Sequence, residues 1–218
     1  MPQVLVTLPV EVRVRRMEVT WTLLHREGAD AKVRGEMSRP PEDREFLDGW
    51  TIRERFLALR RSESALLKFL RWAGRFPPIF LSGDFEVSAF WKWQDIFQET
   101  LVKRNGQWRR KFDEFPYLFP DYPFVEERLS DVQFLLEGKK TRALIQAACG
   151  LYAIGTTIEL DLASGAEFKW CARPDCRKRL FKQQSRHQTK YCSYECAHLQ
   201  SVRNARGTIV ASDGGYLC

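Results

Sequence analysis

The chain has 218 residues, of which 44% are hydrophobic and 29% charged, and its formal net charge is +7. That is enough chain for one medium domain with a small appendage and a proper apolar core, and the balance is that of an ordinary soluble globular protein, not a disordered or low-complexity one. The charge is unevenly spread: residues 168–207 carry ten Lys and Arg against Asp175 and Glu195, a net +8, so the remaining residues sum to −1. A basic segment of this kind points to a polyanionic partner, most often nucleic acid, although a solvated basic face has the same composition.

The first 24 residues alternate. Val10, Val12 and Val14 oppose Glu11, Arg13 and Arg15, and Met17, Val19, Trp21 and Leu23 repeat the period of two. The pattern predicts two half-buried strands forming a short N-terminal β-hairpin. No basic region followed by an apolar run and a cleavage site opens the chain, so the expected location is cytoplasmic, where thiols stay reduced.

Pro40-Pro41 marks a loop, and Glu42 and Asp43 suit a helix start. Ile52, Phe56, Leu59, Leu66, Leu67 and Leu70 then follow a helical stripe as far as Trp72, with Gly49 and Ser62 as break points. Trp91, Trp93, Phe97 and Leu101 form the buried stripe of a further helix, expected to end near Asn105-Gly106; Asp84 and Glu86 before it read as surface carboxylates. The proline-rich "FPYLFPDYPF" (115–124) is a connector. Helices are expected over 125–137 and 140–161. The second contains the uncharged run "ALIQAACGLYAIGTTI", too short and too polar to span a bilayer and therefore a buried helix. Cys149 lies in it as a small core residue. Ser164-Gly165 is a turn and a module boundary.

The expected fold class is α+β: a mainly helical domain with N-terminal strands over 1–164, a four-cysteine zinc finger over 165–207, and a flexible tail over 208–218. Cys171 and Cys176 are separated by four residues, Cys192 and Cys196 by three, with fifteen between the pairs. Two short loops with a cysteine at each end wrap four thiolates around one metal, the closed tetrahedral shell of a structural zinc ion. The alternative is a set of buried free cysteines. In "CARPDC" the first pair makes a knuckle turn. Ser193 is an N-cap that starts a helix over "YECAHLQSVRNAR", with Gly207 as its stop. Between the pairs, a short basic hairpin points Leu180, Phe181 and Tyr191 inward. Knuckle, hairpin and ligand-bearing helix make a treble clef. Some forty residues of this kind need the metal to fold. His187 and His198 are alternative ligands that a filled four-sulfur shell leaves out.

The segment "WCARPDCRKRLFKQQSRHQTKYCSYECAHLQSVRNAR", with "LASGAEF" before it, resembles the bacterial CGNR-type zinc finger over 40 to 60 residues: a cysteine pair with an "NPDC"-like knuckle, a following Phe, a basic hairpin, then "YCS" and a helix with basic residues at its end. Ala197, His198 and Leu199 stand where the Cys-Gly-Asn-Arg signature would follow. The resemblance implies Cys171, Cys176, Cys192 and Cys196 as zinc ligands and DNA binding in a transcription regulator.

Helical spacing from Cys192 puts Cys196, Leu199 and Val202 on the metal side, Ser201 and Asn204 opposite, and His198 and Gln200 on the flanks. Gln200 and Asn204 are types that read adenine, whereas Arg203 and Arg206 fall on the core side near the helix end. Arg177, Lys178 and Arg179 are the expected phosphate contacts, joined by Lys182, Arg186 and Lys190. The expected partner is nucleic acid, DNA first, with a protein partner or small effector at the N-terminal domain and no membrane. The competing reading is a scaffold in which the finger is purely structural. No catalytic constellation is visible, so enzyme activity is not expected. Cys218, at the end of "SDGGYLC", has no assigned role.

Overall fold

The computed structural model describes residues 9–24, 31–37, 45–76, 82–103, 130–137, 140–173, 175–176, 180–185 and 190–213. The described residues form an α+β protein whose elements run β1 (Val10–Arg15), β2 (Val19–Leu24), β3 (Lys32–Met37), β4 (Phe46–Asp48), α1 (Gly49–Leu57), α2 (Glu63–Ala73), β5 (Ser82–Glu86), α3 (Val87–Lys103), β6 (Ser130–Glu137), β7 (Lys140–Ala147), α4 (Gly150–Ala163), β8 (Phe168–Trp170), β9 (Leu180–Lys182) and α5 (Tyr194–Asp213). Three sheets result, with strand orders β4-β1-β7-β6, β2-β3-β5 and β8-β9. The double proline at 40–41, the 115–124 connector and the tail beyond Asp213 lie outside the described residues.

The two N-terminal strands are present but do not form the expected hairpin. β1 pairs in parallel with β7, Val12 opposite Ile145, and antiparallel with β4, whereas β2 pairs with β3. Just past β1 the Arg16 amide donates to the Glu45 carbonyl at 2.9 Å, which extends the pairing with β4 by one residue before the chain leaves for β2. Alternation marks a half-buried strand and is silent on its partner, and β1 finds its partner far along the chain. The expected helices over 125–137 and 140–161 are corrected in the same way. Residues 130–137 and 140–147 are antiparallel strands, and the helix begins only at Gly150. β7 lies between β1 and β6, and a strand covered on both faces is as continuously apolar as a buried helix, so periodicity does not separate them. Among the described residues before the cysteines, seven strands stand beside four helices, so the helices share the body with two sheets.

The helical run expected from Glu42-Asp43 to Trp72 is corrected at its start: residues 46–48 are the strand β4, the first helix begins at Gly49, and the run divides at Ser62. Asp48 caps α1 by accepting from the Thr51 amide at 2.8 Å, and Ser62 caps α2 by accepting from the Ala65 amide at 3.3 Å. The C-terminal end of α1 is satisfied from another helix: the buried Gln94 amide of α3 donates to the carbonyls of Phe56 at 2.9 Å and Leu59 at 3.1 Å. Around this joint the core is aromatic. Phe56 lies 4.8 Å from Phe76, 5.6 Å from Phe69 and 6.4 Å from Phe97 between ring centroids, and Phe90 meets Trp93 edge-on at 5.1 Å. Trp93 and Phe97 lie in the core as the stripe predicts, with Trp91 packed at its edge. Asp84 and Glu86 are exposed on β5, where Arg34 pairs with Asp84.

Gly74 ends α2 with φ +67° and ψ −118°, and its carbonyl accepts from the buried Trp21 indole at 3.0 Å. A Cβ there would meet the Met17 carbonyl oxygen at 2.3 Å, backbone that cannot swing aside. Gly74→Ala is expected to destabilise the protein by about 2–4 kcal/mol, from dihedral strain and displacement of the chain entering β2, read as a lower urea midpoint at unchanged slope.

α4 has no side-chain cap. Its first amides are held by the chain after α2, Gly150 on the Arg75 carbonyl at 3.1 Å and Leu151 on that of Phe76 at 2.9 Å. Its far end closes as a Schellman turn through Gly165 at φ +77°, the Ala166 amide reaching the Asp161 carbonyl at 2.9 Å and the Gly165 amide that of Leu162 at 3.1 Å. This is the expected Ser164-Gly165 turn, and it delivers the chain to β8. No helix among the described residues is long and apolar enough to cross a membrane.

Candidate metal centre

The hairpin lies across the first cysteine pair, not between the two pairs. β8 and β9 are antiparallel, with Phe168 opposite Lys182 and Trp170 opposite Leu180, so the knuckle from Cys171 to Cys176 sits in the connection between them. Alternation gives this hairpin two jobs. Phe168 and Leu180 join the aromatic core of the body, whereas Phe181 packs with Cys171, Cys176, Cys196, Tyr191 and Cys192 in a second small cluster. The Ala172 amide donates to the Lys190 carbonyl at 2.7 Å, drawing the second cysteine pair onto the first. Ser193 caps α5 as expected: its hydroxyl accepts from the Cys196 amide at 3.2 Å, which puts Cys196 in the first turn.

The four sulfurs all lie within 4.8 Å of one another and could hold a metal ion. Cys176 to Cys192 is 3.4 Å, Cys192 to Cys196 is 3.4 Å, and Cys196 to Cys176 is 3.5 Å. All are far longer than the ~2.05 Å of a disulfide and close to the ~3.8 Å edge of a tetrahedron with ~2.3 Å metal–sulfur bonds. Cys171, Cys176 and Cys196 are buried and Cys192 is half-buried.

No protein-family model, no curated protein and no solved structure matches the chain. The reading of the site therefore rests on its own geometry.

Burial raises the Cys192 thiol well above its ordinary value, and hydrogen bonds to the sulfurs of Cys176, Cys196 and Cys171 raise it further. Burial acts in the same direction on Cys196, but hydrogen bonds from Cys192, Ser193 and Cys176 outweigh it and hold that thiol below its ordinary value. A cation held among the four sulfurs would favour the ionised form of all of them. Cys149 differs: it is fully buried in the body, its thiol pushed up to about 11, and inert.

Two residues that spacing did not single out frame the sulfurs. The Arg173 guanidinium lies 3.8 Å from Cys196 Sγ and holds Asp175 through two bonds, at 2.8 and 3.1 Å. Asp175, kept well below the usual carboxylate range by Arg173, also receives Arg203 of α5 at 3.3 Å. This Arg–Asp–Arg chain links the knuckle to the helix over the sulfur cluster. Its signal in the sequence was the Asp of the "PDC" knuckle, whose partner on the following helix is fixed only once the fold brings the two together.

Arg177, Lys178, Arg179, Arg186 and His187 lie outside the described residues. Lys182 does not project freely: its ammonium is 2.6 Å from Asp161 of α4. Lys190 and Arg206 are exposed, and Arg203 is exposed but engaged by Asp175. Gln200 donates to Asn204 at 2.9 Å, so the two amides expected to read bases are bonded to each other. His198 is exposed and no ligand. Leu199, expected on the metal side, is 41% exposed, because the cluster ends within the first turn and nothing described packs beyond it. The helix does not stop at Gly207 but runs to Asp213; a single glycine costs a helix only about 1 kcal/mol.

Proposed function

We propose that the four cysteines hold one structural zinc ion in a treble-clef finger, and that the protein binds nucleic acid, DNA first, as a cytoplasmic transcription regulator whose α+β body senses an effector or contacts a partner protein. Zinc fits the donor set: four thiolates suit a borderline-soft d¹⁰ cation that accepts tetrahedral geometry without preference. Four sulfurs fill its coordination positions, so the ion folds the module and does not react. Metal analysis of the purified protein is expected to give one zinc per chain.

The observation that carries the nucleic-acid reading is α5 itself. It supplies one sulfur of the cluster in its first turn and then exposes Ser201, Arg203, Asn204 and Arg206, within a segment of net charge +8. The resemblance to CGNR-type fingers points the same way. Phosphate contacts by Arg177, Lys178 and Arg179 are part of this reading. With about six phosphate contacts the affinity falls with a log–log salt slope near −5, and replacing those three residues by Ala brings it to about −2 to −3. Absence of any retention on duplex or single strand at low salt would falsify the reading.

One observation favours a second reading, in which the finger is only a staple. The β8–β9 hairpin is docked on the body through Phe168 and the Lys182–Asp161 pair. Under that reading the triple Ala variant binds nucleic acid no differently from the unaltered protein.

A further inference from the structure

Four large apolar side chains are exposed among the described residues, and three belong to the finger: Trp170 at 43%, Tyr194 at 86% and Leu199 at 41%. Tyr194 is the most exposed of them. It opens α5 two residues after a metal-site cysteine, and its ring lies parallel to that of the exposed His198 one turn later, with 10° between the planes and 6.3 Å between centroids. The same stripe of the helix continues with Ser201 and Ala205, both exposed, so nothing on α5 covers the rings. A tyrosine in a first helical turn is free to fold its ring back on the protein, and this one does not. Neither ring serves the metal: the four sulfurs are the ligands, and Tyr194 and His198 are outside both apolar clusters.

Parallel flat rings, open to solvent, in a segment of net charge +8, are what an unpaired nucleobase requires: a π surface for the base and cations for its backbone. A paired duplex offers no base face for them. Gln200 and Asn204, the side chains suited to a major-groove edge, are bonded to each other instead. Resting on the nucleic-acid reading above, we propose that the Tyr194–His198 pair is a base-stacking platform, and that the finger engages single-stranded or locally unpaired nucleic acid in preference to intact duplex. Lys190, exposed just before the second cysteine pair, is one described cation open to a flanking phosphate.

The test uses the full chain loaded with zinc and one labelled oligonucleotide, presented as a single strand and as its duplex, with binding read by fluorescence anisotropy at low salt. Tighter binding of the single strand is expected. Tyr194→Ala weakens it roughly 5- to 100-fold, while Tyr194→Phe, which keeps the ring, stays within about 2-fold. Duplex binding changes by less than about 2-fold in both variants. His198→Ala gives a smaller loss on the single strand alone. Zinc content and thermal unfolding remain those of the unaltered protein, because both side chains are exposed. Equal loss on the two forms, no loss on either, or tighter duplex binding by the unaltered chain overturns the platform and leaves the nucleic-acid reading standing. Failure of the unaltered chain to bind either form overturns both.

Discussion

Removing the proposed zinc ion is expected to unfold the segment from Phe168 to about Arg206 while the body keeps its structure. The described apolar cluster of the finger consists of Cys171, Cys176, Cys196 and Phe181, with Tyr191 and Cys192 at its edge. Each ring it buries contributes only about 2–3 kcal/mol, and ordering some forty residues costs on the order of 1–2 kcal/mol each. Binding of a structural zinc ion is worth about 10–16 kcal/mol near neutral pH and would tip this balance toward the folded module. The body does not need it: apart from Phe168 and Leu180 its core, from Val12 to Ile158, is built without residues of the finger. Hydrogen exchange after chelation is expected to show amides of 170–173, 190–192 and the first turns of α5 losing protection, with α1, α3 and α4 unchanged. Cys176→Ser gives the same pattern without chelator. Full protection of the finger in metal-free protein would show that the sulfurs pack as free cysteines.

The second large effect is expected at the joint between body and finger. Arg53 and Asp161 face each other at 2.6 Å, each side chain only 5% exposed. Arg53 also donates to the Thr157 carbonyl at 3.1 Å and lies over the Phe168 ring at 5.5 Å. Asp161→Asn leaves the Arg53 charge buried without its counter-ion and is expected to cost about 3–5 kcal/mol, a fall in Tm of about 10 °C by calorimetry. Lys182 binds the same carboxylate from the finger side, but its side chain is 48% exposed, so Lys182→Ala is expected to cost under about 1 kcal/mol. Arg53→Met combined with Asp161→Leu should recover most of the loss, because the penalty comes from the stranded charge, not from the absent pair. If Asp161→Asn and Lys182→Ala cost the same, the buried pair is not what holds the joint.

This joint also shows why part of the site escaped the sequence. Lys182 lies in a basic run, which made it a nucleic-acid contact by composition. Its mate is an acid one helix earlier, inside "IELDLA", and only the docking of β9 on α4 brings them together. Asp161 was the detectable signal, one of two acids, with Glu159, near the end of an otherwise uncharged helix. Gln200 and Asn204 were placed on the outer side of α5 by helical spacing, and their mutual hydrogen bond follows from the same spacing of four.

The sequence by itself determined the elements governed by neighbours in the chain. These are the break points at Gly49 and Ser62, the cap at Ser193, the turn at Ser164-Gly165, the aromatic stripe of α3, and two short cysteine loops, each a few residues long with a local chemical requirement. Only the tertiary structure decided the partners. β1 left its neighbour β2 for β7, the run from Ala143 divided into strand and helix, and the hairpin closed over the first cysteine pair. The physical reason is common to all three. A period of two or an unbroken apolar run states how much of a segment is buried, but which surface buries it depends on residues far away in the chain.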